Sequence, residues 1–195
     1  EAACLAADKI QISYTPYTPI TDVEQALKDD ARLIHPERGN NIAAHHHTIK
    51  GDIDAGFASS AHILEREYEV GFQEHAYIEP EVVLTWLDPT ERHLIISGSI
   101  QNPHRVRSFV AKFMGCPQGH INIKRAVMGG SFGGKDDIID HLACRSALLT
   151  TLTGRPVKFC YTREHSILES CKRHPYKMKY KVGVDNHGQI QAMKI

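Results

Sequence analysis

Residues 128–137 read MGGSFGGKDD, with glycine at 129, 130, 133 and 134. An alternating segment, INIKRAV, precedes this run, and a helix-like one, DDIIDHLACRSALLTTLTG, follows it. Glycine tolerates positive φ and lets another group approach the backbone closely. The chain must therefore pass from strand to helix through a tight loop whose N–H groups can converge on an anion. Gly129 to Lys135 also spells G-x-x-x-x-G-K, the skeleton of a phosphate loop, but such a loop needs Ser or Thr after the lysine to bind magnesium. Asp136 and Asp137 stand there instead. They suit a helix N-terminus and would repel a triphosphate, so a nucleotide site is not expected. Phe132, inside the glycine run, has two readings: presented outward with little to bury it, or packed inward in an ordinary strand-to-helix turn.

The flanking sequence supplies alternating strands and two marked helices. KIQISY, AHILEREYEVGF, YIEPEVVLTWLD, HLIISGSI, INIKRAVM, RPVKFCYT, YKMKYKVGV and QIQAMKI read as strands, the last two joined by a DNHG hairpin turn. TDVEQALKD and GDIDAGFASS read as short helices, capped by Thr21 or Asp22 and by Asp52. Asn102-Pro103 starts a helix that Gly115 stops. A second helix spans about 137–153, with Ile138, Leu142, Leu149 and Leu152 on its apolar side. This pattern predicts an α+β fold, a two-layer α/β sandwich of a mixed sheet and a helical layer.

Composition narrows the classes. Lys plus Arg and Asp plus Glu both total 23 in 195 residues, so no net field draws the chain to nucleic acid or to a membrane surface. No apolar run approaches the roughly 20 residues of a membrane helix. The five cysteines are scattered and never form C-x-x-C, which argues against a disulfide framework or a cysteine metal site. A reducing cytoplasm is the expected compartment. The chain opens at Glu1 without Met and closes inside an alternating run, as expected of a piece of a longer polypeptide.

MGGSFGGKDD resembles the GGGFGGKE loop of the molybdenum hydroxylases, the xanthine dehydrogenase and aldehyde oxidase family. GFQEHAYIEPE at 71–81 resembles that family's GQEHFYLE segment, and SGSIQNPHRVRSFVAKFMG its (S/T)-Q-x-P…VA…LG segment. TGRPVKFCYTREH and RHPYKMKYKVG resemble its TGRPV…R-x-E and RHP…KVG stretches, in the same order. IQISYTPYTPITDVEQAL is similar to the linker that enters this domain.

The resemblance implies the first molybdopterin-binding domain of the large subunit. Residues 1–40 would be a linker and short helix entering from an upstream domain, and 41–195 the molybdopterin-binding domain, truncated at its C-terminus. It implies an oxidoreductase that hydroxylates a purine, N-heterocycle or aldehyde with oxygen from water. Electrons would leave through [2Fe–2S] clusters towards FAD on other domains or subunits. Carried over, Gln73 matches the glutamine beside the molybdenum's oxo group, where an amide donates without adding charge. Gly130, Ser131, Phe132 and Gly133 match the loop against the cofactor, with Phe132 next to the metal. Asp136 matches the substrate-binding glutamate of purine-oxidising members. Ser131 stands for a glycine, which requires a negative φ or a partner for its hydroxyl, and Phe72 also stands for a glycine. The general-base glutamate of the family would lie downstream, so the piece forms one wall of an active site, is inactive alone, and is expected to hold no cofactor in isolation. The competing reading is a non-catalytic ligand-binding or interaction domain that kept the fold.

Other features have plain readings. His45 and His47 would share one face of a strand and His46 the other, with no carboxylate cluster nearby to complete a metal site. Glu74, Glu79 and Glu81 read as surface or ion-paired residues, Glu79 and Glu81 on one strand face. Arg173-His174 reads as a phosphate contact or a structural turn.

Overall fold

The structure, a computed structural model, describes residues 2–195. They divide into two compact units, one running to Asp52 and the other spanning Ile53–Ile195.

The first unit carries two short helices, α1 (Ala2–Ala7) and α2 (Val23–Ala26). Asp22 caps α2 by accepting the Gln25 N–H at 2.6 Å, as TDVEQALKD predicts. Asn41 ties the unit together: it accepts the Ile34 N–H at 2.9 Å and donates to the carbonyls of Ala26 and Arg32, each at 3.0 Å. None of its described residues is buried or in a strand. The strand predicted for KIQISY is absent, because an extended segment without a partner gains no ladder.

The second unit runs through α3 (Ile53–Ala58), β1 (His62–Val70), β2 (Val82–Leu87), β3 (Leu94–Gly98) and α4 (Pro103–Met114). It continues through β4 (Ile121–Arg125), α5 (Ile138–Thr153), β5 (Val157–Cys160), α6 (Arg163–Glu169), β6 (Tyr176–Val184) and β7 (Ile190–Lys194). The principal sheet has the order β4-β3-β2-β5. Strands β3 and β4 are parallel and the other pairs antiparallel, because α4 serves as the crossover that a parallel pair requires. Helices α4 and α5 cover this sheet, giving the expected mixed sheet under a helical layer. The remaining strands form a second, antiparallel sheet, β1-β6-β7, so the strands divide between two sheets rather than one.

Local sequence accounts for both long helices. Asn102 accepts the Arg105 N–H at 3.2 Å, Pro103 opens α4, and Gly115 ends it at φ +65°. Val106 and Val110 are fully buried against Ile96, Leu142 and Ala143 in one apolar cluster. On α5 the buried stripe runs through Ile139, Ala143, Ser146, Ala147 and Thr150. Leu149 and Leu152 fall beyond its edge and are 41% and 73% exposed, against the apolar side predicted for them. The stripe is partly polar because Ser146 and Thr150 donate to sheet carbonyls, of Val157 and Thr85, each at 3.1 Å. A count of apolar residues alone misplaces it. No helix among the described residues is long and apolar enough to cross a membrane.

Candidate functional site

The glycine loop links β4 to α5 and lies on the segment 73–81 between β1 and β2. The packing is close enough to exclude side chains. A Cβ on Gly134 would fall 2.5 Å from the Tyr77 ring and 3.0 Å from the His75 ring, and one on Gly129 would fall 2.7 Å from the Glu79 Cβ. Gly130 and Gly133 hold φ of +98° and +93°, a region open to glycine at little cost.

Phe132 shares that positive φ, at +52°, and its side chain is 77% exposed. The outward reading therefore holds. A core role would have buried the ring.

Ser131 is the reverse case. Its φ is not positive and it is buried. Its hydroxyl donates to the Gln101 side-chain carbonyl and accepts the Lys135 N–H at 3.1 Å. Both conditions that a serine needs at this glycine position are met.

Lys135 is fully buried. Its ammonium donates to Glu79 Oε2 at 2.6 Å and to Ser99 Oγ at 3.1 Å, and lies 4.9 Å from the centre of the Tyr77 ring. It points away from any ligand above the loop, which closes the phosphate-loop reading. The same Glu79 oxygen accepts the Ser99 hydroxyl at 2.7 Å and the Gly129 N–H at 2.8 Å. Burial pushes the Glu79 carboxyl up, but these donors, led by Lys135, outweigh it and hold it below the ordinary range. Lys135, Ser99 and Tyr77 escape a reading of the sequence as partners, because nothing local marks a contact spanning 56 positions.

The segment beneath the loop is irregular. Glu79 and Glu81 do not share a strand face, since β2 begins only at Val82, after Pro80. Glu81 is fully buried and accepts the Tyr77 hydroxyl. Burial, with that bond to Glu81, raises the Tyr77 pKa and keeps the phenol neutral. Arg163, the first residue of α6, donates to the carbonyls of Tyr77 and Ile78 at 2.6 and 2.8 Å. Glu74 pairs with Lys172 at 2.6 Å. All three glutamates are thus engaged in holding the segment.

Gln73 is exposed. Its backbone exchanges hydrogen bonds with Arg173 at 3.0 and 3.4 Å, an isolated bridge that fixes where its side chain starts. Arg173 donates to the Gly71 carbonyl at 3.4 Å, which supports its reading as part of a structural turn. Phe72 is 65% exposed. Asp136 is partly buried, and one of its carboxylate oxygens is shielded from solvent without a hydrogen-bond partner. His45, His46 and His47 are exposed, and no group of potential metal ligands forms among the described residues. The loop offers a ligand bare backbone and one projecting phenyl ring above the Lys135–Glu79 pair, and the neighbouring segment offers the exposed amide of Gln73.

Comparison with known proteins identifies the family. A family model described as the molybdopterin cofactor-binding domain matches residues 34–195. The nicotinate dehydrogenase large molybdopterin subunit of Eubacterium barkeri is 37% identical over 190 residues, covering 97% of this chain and 44% of that protein. The xanthine dehydrogenase/oxidase of Gallus gallus is 32% identical over 190 residues, covering 97% of this chain and 13% of that protein. Among solved structures, quinoline 2-oxidoreductase of Pseudomonas putida superposes with a TM-score of 0.86 at 25% identity, covering 98% of this chain and 24% of that one. The chain thus spans less than half the length of these relatives. It belongs to the family of molybdopterin cofactor-binding domains.

Proposed function

We propose that this chain forms one wall of the active site in the large subunit of a molybdenum-dependent hydroxylase, which oxidises an N-heterocycle with oxygen from water. The carrying observation is the contrast between Phe132, 77% exposed at positive φ, and its base, where Lys135, Ser131 and Tyr77 are buried. A side chain held outward at a cost in backbone strain on a rigid support suits contact with a bound group. The residues fit molybdopterin: Gly133 is open, with only His75 Nε2 within 4 Å of an added Cβ, and the buried Asp136 oxygen lacks a donor. The names of two sequence relatives, nicotinate and xanthine enzymes, support an N-heterocycle.

When bound, the molybdenum cofactor supplies the two-electron oxidation. The chain's own residues do the rest. Gln73 presents an amide N–H that can donate to an oxo group without adding charge. Gly133 leaves the loop backbone open to a bound group. Phe132 offers an apolar face to a planar ring. Asp136 can accept a ring N–H. The general base, the [2Fe–2S] clusters and FAD belong to other parts of the protein or to partner subunits.

The test is hydroxylation of purines, nicotinate and aldehydes in isotopically labelled water by the full-length protein and by Gln73→Ala. Label should enter the product. Gln73→Ala should lower turnover on every accepted substrate, roughly 10²–10³-fold if the amide acts as a preorganised donor. Wild-type turnover without label from water would refute the reading.

A further inference from the structure

We propose that Glu79 and Lys135 are positioning residues for this chemistry: an ion pair between a buried ammonium and a half-buried carboxylate that pins both ends of the glycine loop and so fixes Phe132 in the substrate space. The inference rests on the proposed function and assigns the pair a part in it.

One oxygen, Glu79 Oε2, receives the N–H of Gly129 at the start of the loop and the ammonium of Lys135 at its end, at 2.8 and 2.6 Å. Ser99, just past β3, completes the knot: it donates to the same oxygen at 2.7 Å and accepts from Lys135 at 3.1 Å. The Lys135 backbone is held as well, its N–H by Ser131 at 3.1 Å and its carbonyl by the Gln101 N–H at 3.4 Å. Between these anchors the backbone bonds are the loop's own, from the Gly134 N–H to the Ser131 carbonyl at 2.8 Å and from the Asp136 N–H to the Gly133 carbonyl at 3.4 Å. Within the loop the Ser131 hydroxyl adds one outside tie, to Gln101, so the placement of Phe132 is set by the two ends together with Ser131.

A fully buried ammonium is a poor source of stability. Desolvating that charge offsets much of its attraction to Glu79, and apolar residues of similar volume often serve as well. A carboxylate with several donors does give directionality that apolar packing lacks. Here that directionality acts on two points of one loop rather than on the sheet core. Small displacements of a positioning group can cost ~10²-fold in rate, which makes a rigid frame under Phe132 valuable.

The test compares Glu79→Asp, Glu79→Gln, Lys135→Met and the double variant Glu79→Gln/Lys135→Met in the full-length protein. Glu79→Asp keeps the charge pair and withdraws the carboxylate by one methylene, so it tests reach without stranding a charge. Hydrogen exchange of the peptide spanning 128–137 is read against peptides from β2 and β3, a measurement that needs no cofactor. Exchange in the loop should rise at least about tenfold in Glu79→Asp and Glu79→Gln, with the strand peptides unchanged. In the loaded enzyme, kcat should fall about 10–100-fold with KM moved less than about threefold. The double variant should recover folding but not kcat. If Glu79→Gln or Lys135→Met fails to fold, Glu79→Asp and the double variant still decide the matter. Unchanged loop exchange in Glu79→Asp, or an equal rise in loop and strands, would overturn the proposal. Turnover lost in Glu79→Asp with the loop still protected would also overturn it. Should the wild type carry no molybdenum, the proposed function fails on its own, and the exchange arm still reports whether the pair pins the loop.

Discussion

The hydroxyl of Ser131 donates to the side-chain carbonyl of Gln101 while it accepts the backbone N–H of Lys135 at 3.1 Å. A residue standing in for a loop glycine has thereby become part of the loop's support. Ser131→Ala deletes both bonds and leaves a buried N–H unpaired, which should cost ~1–3 kcal/mol. Denaturant unfolding of the full-length protein measures this. No loss of stability would mean that water replaces the hydroxyl.

Phe132 should behave in the opposite way. Its ring is 77% exposed, so Phe132→Ala should leave the melting temperature nearly unchanged while turnover falls. A buried phenylalanine would cost ~3–5 kcal/mol, and a drop of that size in calorimetry would return the ring to the core.

Much of this arrangement is legible in the sequence because it is local. Asn102-Pro103 and Gly115 bracket α4, and Gly154 closes α5, each through geometry within a few residues of the cap. The glycine run announces a tight loop, and its aspartates argue against a triphosphate. Less legible is anything fixed by distant pairing. Strand β1 pairs with β6 across the sequence, so the division into two sheets has no local signature. Helix α6 escapes the pattern although Thr162 caps it, accepting the His165 N–H at 3.2 Å, because TREHSILES is short and lies next to a strand pattern. The stretch 77–81 reads as the start of a strand, whereas β2 begins only at Val82, and Pro80 and the buried Glu81 make the segment an irregular shelf.

Arg105 and Asp140 give a prediction whose sign depends on pH. Asp140 on α5 is buried, and burial raises its pKa despite the Arg105 guanidinium 3.1 Å away. A carboxyl with a raised folded-state pKa favours folding most when protonated. The stability it allows is fully present below the unfolded value of about 3.9 and declines as pH rises toward the folded one. Arg105→Ala removes the compensating charge, so at neutral pH it should cost roughly 1–3 kcal/mol, below the range for a fully buried pair because the guanidinium is 43% exposed and screened by water. The gap from wild type should narrow on acidification, as the orphaned carboxyl takes up its proton. Urea titrations at several pH values check this, and a gap that widens toward acid would contradict it.

Asp136 separates substrates. If its carboxylate accepts a ring N–H, Asp136→Ala should raise the barrier for a purine by ~1.5–3 kcal/mol and leave an aldehyde almost untouched. If Asp136 serves only as a charge near the α5 N-terminus, the change should cost ~0.3–1 kcal/mol of stability without substrate dependence. Equal losses of kcat/KM on both substrates would rule out the contact.

The most direct measurement is the molybdenum and pterin content of the full-length protein, purified from a host that makes the cofactor. About one molybdenum and one pterin per large subunit are expected, with Gln73→Ala retaining both while losing turnover. A folded protein that carries neither, after expression beside a related enzyme that loads normally, would contradict the account and leave a ligand-binding domain that kept only the fold.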